Sequence, residues 1–259
     1  MISLHRFNHL YIVLLTCLLW VMAGCTAAPT APTTTPMPAT ITPTVTATID
    51  WFPATATPTP QPPQTLEPTL DPRPPLGALL LEEDYAAANW ITGQTSAGTI
   101  AVDANGLTLA VSATAGRIFT LRQATSLSDF YLETVVDISL CRGDDAYGII
   151  FRASSDQAFY RLWLTCRGAF RLERIRGAEV GVLQDWTPAT SVPIGAPVSL
   201  PLAIVADGQD LQIYANGVFQ FAIRDPLYKE GSIGFAARAA GDSPVTITFT
   251  KLKVYELRK

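Results

Sequence analysis

The sequence predicts an all-β protein, a jelly-roll sandwich of two antiparallel sheets set behind an extended, disordered tract. Three observations carry this. Beyond Pro75 the chain reads as short apolar or alternating runs separated by turn signals, the pattern of a sandwich or barrel. No helical period persists through that region. Before it lies a Thr/Pro-rich stretch that cannot bury a core.

The N-terminus reads as an export signal. His5, Arg6 and His9 precede an apolar run from Leu10 to Met22, and the small residues Ala23 and Gly24 stand before Cys25. Spanning a bilayer takes about 20 apolar residues, and this run ends sooner, so an uncleaved membrane helix is the weaker alternative. Met22-Ala23-Gly24-Cys25 resembles the bacterial lipobox, apart from Met22 where leucine is usual. That resemblance implies cleavage before Cys25, loss of Cys17 with residues 1–24, and fatty-acyl chains on Cys25. Two or three chains, at about 0.8 kcal/mol per buried CH₂, would hold the protein to a membrane. The expected location is therefore the cell membrane, lipid-anchored on the extracytoplasmic side.

Residues 25–75 form the expected stalk. Segments such as Pro32-Thr33-Thr34-Thr35-Pro36 and Thr55-Ala56-Thr57-Pro58-Thr59-Pro60 carry almost no charge. Proline fixes φ and disfavours helix in the residue before it, so the tract should sample polyproline II. At about 3.1 Å per residue, roughly 50 residues reach on the order of 150 Å when fully extended. Trp51 and Phe52 interrupt the pattern and are read as incidental.

The folded domain is expected over residues 76–259. Its strand-like runs are Ala78 to Leu81, Thr99 to Val102, Leu107 to Val111, Arg117 to Leu121, Phe130 to Leu140, Tyr147 to Ala153 and Phe159 to Thr165. They continue with Phe170 to Ile175, Val180 to Gln184, Val198 to Val205, Leu211 to Tyr214, Val218 to Ile223, Ser232 to Ala237 and Val245 to Tyr255. Asn216-Gly217 between two alternating runs is the strongest hairpin signal, because a type I′ turn needs positive φ at both central residues. In the run from Phe130 the even positions Phe130, Leu132, Val136, Ile138 and Leu140 should face the core, and Glu133, Asp137 and Ser139 the solvent.

Four segments then carry a resemblance. Ala146-Tyr147-Gly148-Ile149-Ile150-Phe151-Arg152, Phe159-Tyr160-Arg161-Leu162, Asp210 to Gly217 and Gly231-Ser232-Ile233-Gly234-Phe235, followed by a long closing strand, resemble concanavalin A-like domains. The laminin G and 3-keto-disaccharide hydrolase-like groups are the most similar. The resemblance covers Leu76 to Lys259 and implies the sandwich, not an activity, since these are mainly turn and core residues.

Cys141 and Cys166 remain in the domain, and an exported protein lives where disulfides persist. A bridge is expected, with two free buried thiols as the alternative. If the strands ending at Leu140 and Thr165 flank a third in one meander, two strand spacings separate the cysteines by about 9.6 Å, beyond the roughly 7 Å a bridge allows. The loop Arg142 to Asp145 would have to carry Cys141 over the middle strand.

Both histidines, His5 and His9, lie in the leader, which closes the commonest nucleophilic hydrolase mechanisms and leaves no metal set. No cofactor is expected. The net charge of −4 with 15% charged residues argues against nucleic acid as a partner. Sandwich glycosidases resemble one another in a strand bearing Glu-x-Asp-x-x-Glu; Glu133 with Asp137 lacks its centre and its closing Glu, and is read as a solvated face. Asp144 and Asp145 could offer oxygen to Ca²⁺, though paired acids in a turn are usually just exposed. The candidate ligand-binding residues are Trp163 and Arg161, projecting opposite Tyr160, Leu162 and Leu164, with Arg171 and Glu173 on the next strand. Asp185 and Trp186 form a second, weaker pair. Rings beside arginine and acid groups suit sugars, whose C–H faces stack while hydroxyls hydrogen-bond. The alternative is that Trp163 fills a packing contact and the arginines form surface ion pairs. The functional expectation is a tethered, non-catalytic module binding a glycan, cell-wall polymer or envelope partner. A glycoside-active enzyme of the 3-keto-disaccharide hydrolase-like type and a structural envelope domain are the alternatives.

Overall fold

The structure is a computed structural model that describes residues 73–258 except Ser243. Cys25, the stalk up to residue 72 and the aromatic pair at Trp51 and Phe52 lie outside the described residues.

Fifteen strands follow in chain order: β1 (Leu76–Glu82), β2 (Gly93–Gln94), β3 (Gly98–Asp103), β4 (Gly106–Val111), β5 (Arg117–Leu121), β6 (Phe130–Leu140), β7 (Ala146–Ser155) and β8 (Ala158–Thr165). The rest are β9 (Ala169–Arg176), β10 (Glu179–Pro188), β11 (Val198–Asp207), β12 (Asp210–Ala215), β13 (Val218–Arg224), β14 (Ser232–Arg238) and β15 (Val245–Leu257). They build two antiparallel sheets. The nine-stranded sheet runs β13-β12-β11-β6-β15-β4-β3-β2, with β1 also on β15. The six-stranded sheet runs β10-β9-β8-β7-β14-β5. Of these strands, only the two-residue β2 has no counterpart in the sequence reading, being too short to show alternation.

The turn chemistry behaves as the residue types require. Asn216 and Gly217 both take positive φ, 50° and 75°, and Ala215 pairs with Val218 across them. A single apolar core fills the space between the sheets, with Phe130, Phe151, Phe170, Phe235 and Phe249 all buried and Phe235 stacked on Phe249 at 3.9 Å between ring centroids. Alternation along β6 holds for Phe130, Leu132, Val136 and Ile138, but Leu140 is 51% exposed. The register of β6 against β15 slips between Ile138 and Leu140, which turns the last residue out of the core.

Cys141 and Cys166 are bridged, with Cα atoms 5.9 Å apart. The reason differs from the meander geometry. β6 and β8 belong to different sheets, so the bridge passes no intervening strand and ties one sheet to the other at one end of the sandwich.

β7 is interrupted by a bulge. Between Ile150 and Ala153 it contains one residue more than the facing stretch of β14, Gly234 to Ser232, and Arg152 there has φ 50°. The bulge turns Arg152 to the inside while Ile150 and Ala153 both stay on the outer face.

Candidate functional site

The outer face of the six-stranded sheet is built by alternation along β5, β8 and β9. β8 turns Tyr160, Leu162 and Leu164 into the core and Phe159, Arg161 and Trp163 outward. β9 does the same with Phe170 and Leu172 inward and Glu173 and Ile175 outward, and β5 with Ile118 inward and Phe119 and Leu121 outward. Apart from Arg238 at the end of β14, β7 and β14 offer this face small or slender residues: Ala146, Gly148 and Ile150, then Gly234 and Ala236. At Gly148 a Cβ would run into the Leu162 carbonyl oxygen, so the bare strip follows from close backbone approach. The result is a floor of Phe119, Phe159, Trp163 and Trp186 beside a strip with little side-chain cover.

Over this floor stand arginines. Arg161 donates from Nε and Nη2 to Glu173 Oε2 at 3.1 and 2.7 Å, and Trp163 Nε1 donates to the same oxygen at 3.0 Å. Trp163, Arg161 and Glu173 are only 1%, 5% and 7% exposed. Trp163 thus lies outside the inter-sheet core, yet it is covered: the guanidinium of Arg161 sits 4.8 Å and that of Arg238 5.5 Å from its ring centroid. An arginine over an indole face is held by the ring quadrupole. Arg171 brings Nε to 3.1 Å from Glu173 Oε1, an ion pair without an aligned hydrogen bond, and Nη1 to 3.8 Å from Asp185 Oδ1. Trp186, half-buried, has the guanidiniums of Arg171 and Arg238 at 5.6 and 5.3 Å from its ring centroid.

The four residues Arg161, Trp163, Arg171 and Glu173 therefore form one connected group, and Trp186 joins it through Arg171. Asp185 stands at the rim, its side chain 79% exposed. Burial lowers the pKa of Arg161, against which Glu173 acts by accepting its hydrogen bonds. Arg238 is lowered first by burial and next by the like charge of Arg117. Both stay protonated, since arginine does not give up its proton in proteins; the direction reports how costly it is to hold these charges there.

Arg117, Arg238 and Phe119 escape a reading of the sequence alone. Arg117 and Arg238 are directly opposite each other in the β5–β14 pairing, a contact between segments far apart in the chain that no local pattern announces. Strand parity was the available signal for Phe119, which alternates with the buried Ile118 and Thr120.

The remaining sequence candidates lie elsewhere. Glu133 and Asp137 are on the outer face of the other sheet, where Glu133 accepts from Tyr131 Oη at 3.2 Å and Asp137 from Thr250 Oγ1 at 3.4 Å. Glu133 also lines a hollow of about 240 Å³ with Arg73, Tyr131, Ala203 and Tyr214. Asp145 is buried, each of its oxygens taken by a backbone N–H, from Arg142 at 3.0 Å and Ala240 at 2.8 Å. Asp144 pairs with Arg167 at 2.5 Å. This turn is tied down by its acids.

No protein-family model and no curated protein matches the chain. Solved structures do. The carbohydrate-binding module CBM66 from Bacillus subtilis matches with a TM-score of 0.52 and 21% identity, over 65% of this chain and 96% of that one. A Bacillus subtilis protein of unknown function with a galectin-like fold matches at 0.55 and 14% identity, over 72% and 100%. The exoplasmic/lumenal domain of VIP36, in a Ca²⁺- and Man3GlcNAc-bound form, matches at 0.51 and 10% identity, over 70% and 89%. The chain accordingly has the concanavalin A-like jelly-roll fold.

Proposed function

We propose that the protein is a non-catalytic glycan-binding module, held to the outer side of a membrane by lipid on Cys25 and a Thr/Pro-rich stalk, with its ligand on the outer face of the six-stranded sheet. The observation that carries this reading is the half-buried Trp186, set among aromatic rings with the guanidiniums of Arg171 and Arg238 at 5.6 and 5.3 Å from its ring centroid. The part of this ring left open to solvent can take the C–H face of a sugar, and N–H donors beside it take the hydroxyls. The fold is shared with a carbohydrate-binding module and with a domain described in a saccharide-bound form, which supports the reading by analogy of architecture. Glu173 suits an anchoring role: three N–H groups converge on one of its oxygens.

A glycan array probed with the protein and with Trp186→Ala tests the site. The variant should lose about ten- to a hundredfold in affinity for whatever the parent binds. Equal binding by both proteins moves the site off this face, and cleavage of a bound glycan that Asp185→Asn abolishes replaces the module with a glycoside-active enzyme. The tether is tested separately by fatty-acid labelling, where Cys25→Ser should carry no label and leave the membrane fraction. Label retained in that variant rules the anchor out.

A further inference from the structure

We propose that the ligand of this face is an acidic saccharide, recognised through a carboxylate that the arginines around Trp186 receive. The proposal rests on the glycan-binding reading above and adds the charge of the ligand.

The first ground is a surplus of positive charge. Arg117, Arg161, Arg171 and Arg238 act on one another across this face, and the carboxylates within reach of their guanidiniums are Glu173 and the rim residue Asp185. Asp144, which also acts on Arg238, is already paired with Arg167. Four cations against two anions leave two positive charges in a chain whose formal net charge is −4. The surplus is therefore local, opposite in sign to the molecule that carries it.

Placement supplies the second ground. Arg117 and Arg238 are a directly opposed cross-strand pair, an arrangement that destabilises a sheet when the charges are alike. Neither has an ion-pair partner among the described residues. No ion pair among the described residues offsets that repulsion, and an anion arriving between them would.

Unfilled hydrogen-bond donors supply the third. The buried Nε–H of Arg238 has no hydrogen-bond acceptor among the described residues, and that of Arg171, 3.1 Å from Glu173 Oε1, makes no aligned hydrogen bond with it, although buried donors are nearly always satisfied. These are the two arginines that flank Trp186. A planar fork of N–H donors matches a carboxylate in bidentate fashion, so a sugar acid lying on Trp186 would bring an acceptor to these two guanidiniums, whose Nε–H groups now make no hydrogen bond. Neutral sugars can use the ring but leave the charge surplus uncompensated.

The test is calorimetric titration of the full protein with matched pairs of saccharides: uronate oligomers, sialylated saccharides and muramic acid-bearing saccharides, each beside its methyl ester. Esterification removes the charge and keeps the ring. At least one acid should bind about tenfold or more tighter than its ester, a preference that added salt reduces. The double substitution Arg117→Gln with Arg238→Gln should erase the difference between acid and ester, while the melting temperature shows that the sandwich persists. Should that double variant fail to fold, Arg117→Gln alone, at an exposed strand end, should still narrow the preference. Acid and ester bound alike would overturn the inference and leave a neutral-glycan site standing. Preference for a sulfated neutral saccharide over every carboxylate would overturn the choice of anion, and binding of no saccharide in either form would remove the glycan reading together with it.

Discussion

Arg152 and Arg238 stand on neighbouring strands of one sheet, and the protein treats their charges in opposite ways. Arg152 is fully buried, yet its guanidinium donates to the carbonyl oxygens of Ser128, Gly208 and Tyr228 at 2.7–3.1 Å and lies 3.4 Å from Asp129. Three loops are fastened to one cation. Arg238, on the other face, has Arg117 across the strand, the rings of Trp163 and Trp186 within 5.5 Å and an Nε–H without a hydrogen bond. Burial lowers both pKa values, so desolvation does not distinguish them. What differs is completion: the first cation is satisfied by the chain itself, and the second is left for something outside it.

The comparison is tested most severely at the completed site. In Arg152→Met the Ser128, Gly208 and Tyr228 carbonyls lose their donor while the apolar stem is kept, and leaving such groups buried and unpaired is costly. The domain should lose about 3–5 kcal/mol of unfolding free energy, read by denaturant titration. That is at least the roughly 3 kcal/mol that the chain-entropy account assigns to a disulfide closing a loop such as that between Cys141 and Cys166. A loss under about 1 kcal/mol would mean that the loops find other donors, and that Arg152 is no structural staple.

How far the sequence reveals these two regions depends on the range of the forces that make them. Strand runs, the Asn216-Gly217 turn and the outward parity of Phe159, Arg161 and Trp163 are local, set by pleat and by φ, and they are legible in the chain. The bridge between Cys141 and Cys166 is legible as a pairing, but which strands it joins is not, because sheet membership is a global property: a meander places β6 beside β7, whereas β6 instead pairs with β11 and β15. The inward turn of Arg152 is hidden by a bulge that reverses strand parity at one residue. Trp163 is correctly placed on the outer face and still covered, because Arg238 reaches it from β14, over the bare strip at Gly148. Most of the candidate site was visible because Arg161, Trp163, Arg171, Glu173, Asp185 and Trp186 sit on the sequential strands β8, β9 and β10, while Arg117 and Arg238 come from segments whose pairing no turn signal connects.

The smallest expected effect falls at the incomplete site, and there its sign matters more than its size. Arg238→Met removes a partly desolvated cation, relieves its repulsion with Arg117, and keeps an unbranched side chain able to lie over Trp163 and Trp186. Against this stands the loss of two ring contacts, each worth on the order of 0.5–1 kcal/mol, of which a thioether against an aromatic restores a part. No buried hydrogen bond is broken, since the Nε–H makes none. Stability should therefore change by less than about 1 kcal/mol and can rise, against a loss several times larger for Arg152→Met. Denaturant titrations of the two variants side by side provide the measurement. A site kept for a ligand is one the fold can spare, so a loss at Arg238 matching that at Arg152 would make both arginines structural and dissolve the contrast between them.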